Sequence, residues 1–224
     1  MNSVPFIILA GGEGTRFKEV DQNISKIIYD INNKPFVGYL IEHIYEYEKN
    51  AEIFISIHEQ MIEEKNIILK HYPKVKFLEE SLRLGTGGAV EVAFKETKAD
   101  ELVILNGDSY IKLEWESFLN RGQTSVCLCH HSKASQVCEK GNVEVRDDRI
   151  ISFHEKSDVE GEYINAGIYH IKKEDILDFF KESKWSLEKD FLMKKKNLKA
   201  YLSNESLFDI GTVEGLAEFQ NYLR

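Results

Sequence analysis

Proline and cysteine are both scarce in this sequence, with three of each among 224 residues. Because scarce proline argues against a flexible hinge, we expect the whole chain, 1–224, to form a single domain. An odd number of cysteines fits free thiols in a reducing compartment better than a disulfide framework. No apolar run reaches 18 residues and no basic segment precedes the first one, so we expect a cytoplasmic protein with no membrane partner.

An excess of basic residues is also absent, since the formal net charge is −9. A chain without a basic stripe cannot displace counterions from a phosphate backbone, which excludes nucleic acid as a partner. Any anionic ligand must then be bound locally, by a few cations, backbone amides or a metal ion. At 42% hydrophobic and 30% charged residues, the composition is typical of a globular protein.

Several familiar catalytic motifs are missing. The sequence has no Walker A loop, no dinucleotide fingerprint, no Gly-x-Ser-x-Gly elbow and no His-Glu-x-x-His helix. Cys127 and Cys129 would share a strand face with His131, but no second pair of ligands follows, so we expect buried thiols instead of zinc. Nothing in the sequence supports a hydrolase triad.

The first 108 residues alternate between strand and helix patterns, which predicts an α/β fold with a mostly parallel sheet. We predict strands at Val4–Ala10, Glu52–Ile57, Val75–Leu78 and Glu101–Leu105, and helices at Phe36–Lys49, Ile62–His71 and Thr86–Lys98. Ligands of such sheets bind beyond the carboxyl ends of the strands. The segments after the first and fourth strands should therefore face each other.

The second half is less regular. We predict strands at Thr124–His131, Tyr163–Ile171 and Leu198–Leu202, a hairpin over Asn142–Glu155, and helices at Lys173–Lys184, at Ser186–Lys195 and after Gly211-Thr212. A glycine inside a strand often marks a close approach by a ligand, and Asn165-Ala166-Gly167 has this pattern. The alternative there is a bulge. Glu155-Lys156 ends a predicted strand, and the alternative to a ligand contact for this pair is an exposed charge pair.

The first predicted strand leads into a glycine-rich loop, Gly11-Gly12-Glu13-Gly14-Thr15-Arg16. Its glycines let the backbone approach a ligand, its amides can converge on phosphate oxygens, and Arg16 offers a fork suited to phosphate. The alternative is a plain turn with a solvated arginine. Lys26 follows among apolar neighbours, where it either reaches back to the phosphates or extends to water.

Two carboxylates are placed to hold a cation. Asp108 ends a buried strand in Asn106-Gly107-Asp108, and Asp209 lies in Phe208-Asp209-Ile210-Gly211-Thr212. One or two carboxylates together with phosphate oxygens are typical of a Mg²⁺ site. The alternatives are turn chemistry for Asp108 and capping of the last helix for Asp209.

Together these segments resemble the sugar-1-phosphate nucleotidyltransferase family over nearly the whole chain. Ile7–Arg16 is similar to the family's signature, and Lys26 stands at the lysine of its second motif. The remaining similar segments are Leu84–Ala89 for the base-binding turn, Leu105–Asp108 and Phe208–Thr212 for the metal ligands, and Phe153–Lys156 and Ile164–Tyr169 for the sugar and sugar-phosphate contacts.

The resemblance implies a Rossmann-like, GT-A-like mixed sheet flanked by helices, with a nucleotide-binding half at 1–112 and a smaller, β-rich sugar-binding half at 113–224. It implies Mg²⁺ as cofactor, and a nucleoside triphosphate and a sugar 1-phosphate as substrates. The implied catalytic residues are Arg16, Lys26 and Asp108, and the implied metal ligands are Asp108 and Asp209. The expected nucleotide contacts are Leu9, Ala10, Gly11, Gly12, Gly14, Thr15, Arg16, Glu80, Gly85 and Thr86, and the expected sugar-phosphate contacts are Gly141, Glu155, Lys156, Asn165 and Gly167.

Within the family, the short chain, the Gly85–Gly88 turn and Ser186–Asp190 resemble the branch that guanylylates a D-glycero-α-D-manno-heptose 1-phosphate. This implies GMP transfer from GTP, giving GDP-heptose for capsule or surface-polysaccharide synthesis. A carboxylate at Glu80 could accept from guanine N1–H and N2–H together, whereas uracil and thymine offer one N–H; a surface acid is the alternative. The alternative activity is uridylyl or thymidylyl transfer to a hexose 1-phosphate.

The sequence also departs from the family. Ser25 and Ile27 flank the motif lysine where prolines are usual, and Arg83 replaces a common proline, which adds a cation for phosphate or base.

Two rival functions stay open. A glycosyltransferase would usually carry Asp-x-Asp after the fourth strand, where this chain has Asp108-Ser109-Tyr110. A non-catalytic nucleotide-sugar sensor should have lost a charged catalytic position. The sequence does not decide between a monomer and a homo-oligomer, and it does not identify the sugar.

Overall fold

The computed structural model describes residues 4–12, 17, 21, 24–134, 141–154, 161–181 and 183–224. Its strands are β1 (Phe6–Leu9), β2 (Asp30–Ile31), β3 (Lys34–Pro35), β4 (Ile53–His58), β5 (Lys76–Glu80), β6 (Glu101–Asn106), β7 (Ser109–Ile111), β8 (Ser125–His130), β9 (Asn142–Arg146), β10 (Arg149–His154), β11 (Tyr163–Lys172), β12 (Lys199–Ser203) and β13 (Leu207–Asp209). Its α-helices are α1 (Phe36–Tyr47), α2 (Ile62–His71), α3 (Gly85–Thr97), α4 (Trp115–Leu119), α5 (Lys173–Ile176) and α6 (Val213–Tyr222).

One large mixed sheet forms the centre of the molecule, in the order β5-β4-β1-β6-β11-β8-β12-β10-β9. The first four of these strands pair in parallel, as the alternation of strand and helix predicted. β11 then joins β6 in the antiparallel direction, and most of the later pairings are antiparallel, except that β12 runs parallel to β8. The expected mixed α/β sheet is confirmed.

Both faces of the sheet are covered, because successive side chains of a strand point to opposite sides. In β1, Ile8 joins the core beneath α1 and α6, whereas Ile7 joins the core beneath α3. The first core includes Phe36 and Phe219 and the second includes Phe94, all fully buried. Within the described residues, no helix combines the length and apolar character that a bilayer-spanning segment needs.

The hairpin predicted over Asn142–Glu155 is confirmed for its described part, as β9 and β10 pair antiparallel. Asp147 and Asp148 connect them with φ values of 51° and 58°. Positive φ at both central residues is the conformation that favours a tight two-residue hairpin, and Asp tolerates it better than most residues. A small second sheet, in which β13 pairs with β7, was not predicted.

The polar helices predicted near Lys173–Lys184 and Ser186–Lys195 are present only in part. α5 ends at Ile176 and a single 3₁₀ turn, Leu177–Phe179, follows it; a short π-helix spans Leu187–Leu192. Between them the Trp185 backbone bonds to the start of α3, where its N–H donates to the Leu84 carbonyl. Burial of Trp185, which is 3% exposed, therefore outweighs local helix preference in this segment.

Candidate active site

A cavity of about 310 Å³ opens at the carboxyl ends of β1, β4, β5 and β6. This is the sheet edge where ligands of parallel α/β sheets bind. Of the predicted site residues, the wall includes Leu9, Ala10, Gly11, Gly12, Lys26, Glu80, Gly85, Thr86 and Asp108. The wall also includes Ser56, Arg83, Ala89, Asn106, Gly107 and Lys184.

Strand register brings the two loops after β1 and β6 together. Leu9 lies beside Asn106 of β6 and beside Ser56 of β4. Gly107 N–H donates to the Leu9 carbonyl over 2.9 Å, and a Cβ at Gly107 would lie 2.6 Å from that same oxygen. Only glycine fits at this approach, so the loop carrying Asp108 is held directly against the end of β1.

The described start of the glycine-rich loop faces open space. A Cβ added at Gly12 would meet no atom within 4 Å, and one added at Gly11 would come no nearer than 3.7 Å to another atom. Backbone at these positions is therefore accessible from the cavity. Gly14, Thr15 and Arg16 lie outside the described residues.

Lys26 and Asp108 form an ion pair in the cavity wall. The Lys26 Nζ lies 2.5 Å from Asp108 Oδ2, and the two side chains are 18% and 20% exposed. The buried Ile27, within the 3₁₀ turn Lys26–Ile28, anchors the lysine backbone to the core. Of the two interpretations of Lys26, the structure thus places its ammonium at the cavity and not out in water.

Glu80 presents a fixed carboxylate at the end of β5. It is 8% exposed, and its Oε1 accepts from the Ser56 hydroxyl over 2.6 Å while its Oε2 accepts from Leu84 N–H over 3.3 Å. This geometry excludes the solvated surface acid left open by the sequence. Ser56 was not predicted, because a serine inside a buried strand carries no local signal of a site.

Two further cations line the cavity. Arg83 Nη1 donates to the Gly11 carbonyl over 3.1 Å, which ties the β5–α3 connection to the glycine-rich loop. Lys184 reaches the wall from the segment that follows α5. The sequence analysis named Arg83 as a phosphate or base contact but did not name Lys184. Lys184 reaches the cavity only because the described residues just before Trp185 are not helical.

The second-half residues Asn165 and Gly167 lie behind the cavity wall. Asn165 Nδ2 donates to the Tyr169 hydroxyl over 2.8 Å, and its Oδ1 accepts from Gly167 N–H over 3.0 Å. Gly167 has φ +76°, and a Cβ there would lie 2.9 Å from Asn106 Nδ2. The register between β11 and β8 shifts here, which fits the interpretation as a bulge. The bulge lies against Asn106, and Asn106 lines the cavity.

The other sugar-phosphate predictions also do not map to the wall. The Gly141 carbonyl accepts from Asn165 N–H over 3.0 Å, so Gly141 lies with Asn165 behind the wall. Glu155 and Lys156 lie outside the described residues. Asn106 Oδ1 is buried and has no hydrogen-bond partner among the described residues.

Asp209 lies next to Asp108 across a strand pair. β13 pairs with β7 so that Asp209 faces Ser109, and Ile210 N–H donates to the Asp108 carbonyl over 3.0 Å. Asp209 is 2% exposed and its Oδ1 accepts from Gly211 N–H over 2.9 Å. Thr212 caps α6 through Gly215 N–H, so the capping role considered for Asp209 is taken by Thr212.

Asp108 lines the cavity, whereas Asp209 is buried beside it and is not part of the wall. Among residues the structure describes, no cluster of three or more His, Cys, Asp or Glu side chains could hold a metal ion. Cys127 and Cys129 are buried free thiols, as expected, and burial raises the pKa of the Cys129 thiol to about 11.

Known proteins of one family are similar to this chain over nearly its whole length. A family model described as nucleotidyl transferase matches residues 6–224. A D-glycero-α-D-manno-heptose 1-phosphate guanylyltransferase from Campylobacter jejuni is 34% identical over 95% of this chain and 97% of its own length. An enzyme of the same name from Aneurinibacillus thermoaerophilus is 30% identical, with 97% of each chain covered.

Solved structures show the same fold. HddC from Yersinia pseudotuberculosis complexed with GMP-PN has a TM-score of 0.85 and 30% identity, covering 99% of this chain and 100% of that one. A glucose-1-phosphate thymidylyltransferase described as putative, from Bacillus anthracis, has a TM-score of 0.79 at 18% identity, a likeness of fold alone. This chain belongs to the nucleotidyl transferase family.

Proposed function

We propose that this chain transfers GMP from GTP to D-glycero-α-D-manno-heptose 1-phosphate in the cytoplasm, releasing pyrophosphate. The named activity of the relatives at 34% and 30% identity supports this assignment. The observation that carries it is the Lys26–Asp108 pair, 2.5 Å apart in a cavity whose wall also exposes glycine backbone. The product would supply capsule or surface-polysaccharide synthesis.

The reaction needs alignment and charge stabilisation more than acid–base chemistry. A sugar 1-phosphate oxygen, already ionised at neutral pH, attacks the α-phosphorus; the new P–O bond forms as the α–β anhydride bond breaks and pyrophosphate leaves. Holding both anions in line and offsetting their charge can supply most of the catalysis.

The residues of the cavity suit these tasks. Gly11 and Gly12 line the cavity, and their backbone amides would bind triphosphate oxygens together with Arg16. Lys26 Nζ would neutralise the α-phosphoryl group, exchanging its contact with Asp108 for one with phosphate. Lys156 for the sugar phosphate and Glu155 for the sugar hydroxyls remain proposals from the family resemblance. Asn165, whose amide groups bond to Tyr169 and Gly167, would instead act as a support of the cavity wall.

The cation site fits Mg²⁺, and we propose it as the cofactor. Asp108 already holds one cation, the Lys26 ammonium, and Asp209 lies one residue away across the β7–β13 pair. Carboxylate oxygens are the donors that Mg²⁺ prefers. Asp108 and Asp209 would hold the ion, which would supply positive charge to the triphosphate when bound.

Glu80 would select the base. Its carboxylate is buried, lines the cavity and is oriented by Ser56 and Leu84 N–H. Each carboxylate oxygen can accept more than one hydrogen bond, so the pair could still accept guanine N1–H and N2–H. A base that cannot supply both N–H groups would leave a buried acceptor without a donor. Binding of that base would therefore be disfavoured.

The decisive experiment is pyrophosphate release from GTP, ATP, CTP and UTP against a panel of hexose and heptose 1-phosphates. We expect the highest kcat/KM for GTP with the heptose 1-phosphate. A higher kcat/KM with UTP and a hexose 1-phosphate would establish the alternative activity. Binding of GDP-sugar with no pyrophosphate release from any pair would instead establish a nucleotide-sugar sensor.

A further inference from the structure

The first turn of α3 is held by a segment far away in the sequence. Gly87 N–H donates to the Trp185 carbonyl over 3.1 Å, and Trp185 N–H donates to the Leu84 carbonyl over 2.9 Å. Leu84, at the N-cap, adds no side-chain bond. Because a helix start leaves its first N–H groups without intrahelical partners, this segment supplies a cap that the local sequence lacks.

Thr86 connects this cap to the cavity. Its hydroxyl donates to Glu188 Oε2 over 2.8 Å and accepts from Leu187 N–H over 2.9 Å. Thr86 is also part of the cavity wall. Since a hydroxyl carries one proton, the bond to Glu188 leaves Thr86 only oxygen lone-pair capacity and its methyl group to offer a ligand.

Glu188 itself lies outside the cavity wall, 102 residues from Thr86 in sequence. The same Oε2 accepts a second hydrogen bond, from the Ser186 hydroxyl over 2.9 Å. Ser186 in turn caps the π-helix Leu187–Leu192, where its hydroxyl accepts from Lys189 N–H. Two hydroxyl donors therefore bind the same carboxylate oxygen, and this oxygen sets the orientation of the Thr86 hydroxyl.

We propose that Glu188 is a positioning residue for nucleotide binding: it acts through Thr86 to fix the wall of the cavity beside Gly85 and Glu80. This inference rests on the proposed function, because it assumes that a nucleoside triphosphate occupies the cavity. Glu188 touches no substrate in this arrangement. Its carboxylate matters as an acceptor for two hydroxyl donors, so an amide oxygen at the same position should substitute for it.

The test compares Glu188→Ala with Glu188→Gln, and uses Glu174→Ala, an exposed first-turn glutamate of α5, as the matched control. GTP affinity is measured by calorimetry and kcat and KM by pyrophosphate release. Losing one acceptor should raise the Kd and the KM for GTP about tenfold in Glu188→Ala, while kcat stays within about threefold. Glu188→Gln and Glu174→Ala should match the wild type.

Thr86→Val removes the same hydrogen bond from the other side and should raise the GTP Kd by a similar factor. In the double variant the two effects should not multiply, because each change removes the same interaction. Effects that multiply would overturn the inference, as would a folded Glu188→Ala with wild-type GTP affinity. If Glu188→Ala fails to fold, an unchanged GTP affinity in Thr86→Val overturns it. A wild-type protein that neither binds GTP nor releases pyrophosphate would instead overturn the proposed function.

Discussion

The charged residues of the cavity come from separate parts of the chain, and their contacts explain what each would do. Lys26 and Asp108 lie 82 residues apart in sequence, yet their side chains form a direct ion pair. The family resemblance implied that Lys26 would contact phosphate and that Asp108, which follows a strand end of the parallel sheet, would bind a metal ion there. It did not indicate that they would bind each other, since pairing depends on the distance between two loops.

Removing either partner should impair turnover. We expect Asp108→Asn and Lys26→Met each to lower kcat by about 10²–10³, by analogy with deleting one preorganised charged contact. The measurement is pyrophosphate release at saturating GTP, sugar 1-phosphate and Mg²⁺. Lys65→Met is the matched control, because Lys65 forms an exposed ion pair with Glu79 at the same 2.5 Å and should not affect the rate. A near-normal rate for Asp108→Asn would remove it from the metal site.

Glu80→Gln tests base selection at a single position. An amide cannot present two acceptor oxygens, so the preference for GTP over UTP should fall by at least about tenfold in kcat/KM. Glu79→Gln changes the adjacent exposed residue and should leave the preference intact. If Glu80→Gln keeps the wild-type ratio, the base is recognised elsewhere.

Two buried histidines should make stability depend on pH. Burial lowers the pKa of His43 and of His170, which are 7% and 2% exposed. Because the folded-state pKa lies below the unfolded value near 6.5, the unfolded chain binds more protons as pH falls. The stabilisation is therefore complete above about pH 6.5 and is lost as pH falls through the folded pKa values.

Urea unfolding at pH 7.5 and pH 5.5 measures this effect. Carboxylates titrate mostly near pH 4, below the chosen window. The free energy of unfolding should be smaller at pH 5.5, and His170→Gln should reduce the difference, since glutamine does not titrate and can still donate to Glu101. An equal pH dependence in that variant would show that His170 is not responsible.

At the scale of elements, the glycines that open α3 are required for packing against Trp185. A Cβ at Gly87 would lie 2.2 Å from the Trp185 indole, and one at Gly85 would lie 2.5 Å from the Trp185 carbonyl oxygen. The sequence pattern was interpreted as a base-binding turn alone. Trp185 lies about a hundred positions away, so its part in the glycine requirement has no local signature.

Gly87→Ala should therefore have opposite effects in two backgrounds. In the wild type, overpacking against the indole should cost about 1–3 kcal/mol of unfolding free energy. With Trp185→Ala, which alone should cost about 3–5 kcal/mol, the same change should be neutral or stabilise by up to about 1 kcal/mol through helix propensity. Urea denaturation of the four proteins measures both values. Equal costs in the two backgrounds would mean that the indole does not require the glycine.

The elements that the sequence predicted well are those with strong local patterns. Continuous apolar runs identified β1, β4 and β6, because strands buried on both faces need them. The segment after α5 was mispredicted for the converse reason. Phe179 and Phe191, from the two predicted helices, contact each other across the segment between Phe179 and Leu187, whose described residues are not helical. Tertiary packing, which one segment cannot reveal, decides such cases.

At the scale of the whole molecule, the two proposed halves share one sheet. β6, from the first half, pairs with β1 on one side and with β11, from the second half, on the other. Separating the halves at residue 112 would expose the edge of β6 and the fully buried side chains of both cores. The interaction of the halves is thus part of the core and not a surface contact.

We therefore predict a single cooperative unfolding transition for the full chain. Trp115 packs on Phe6 with ring centroids 5.3 Å apart, and Trp185 reports on the opposite face of the sheet. Urea midpoints from tryptophan fluorescence and from far-UV circular dichroism should coincide, as shared burial requires. Two separated transitions would show that 1–112 and 113–224 unfold independently, against the expectation of a single domain.

The direction of β1 has a practical consequence for attaching this protein to a surface or to another protein. The strand runs from Phe6 toward the 310 Å³ cavity of the candidate site, so Val4 and Pro5 lie at the opposite edge of the sheet, where they line a separate cavity of about 690 Å³. A linker joined at Val4 would start on the side away from the candidate site. Immobilisation or fusion at that end should leave diffusion of nucleotide and sugar phosphate into the cavity unobstructed.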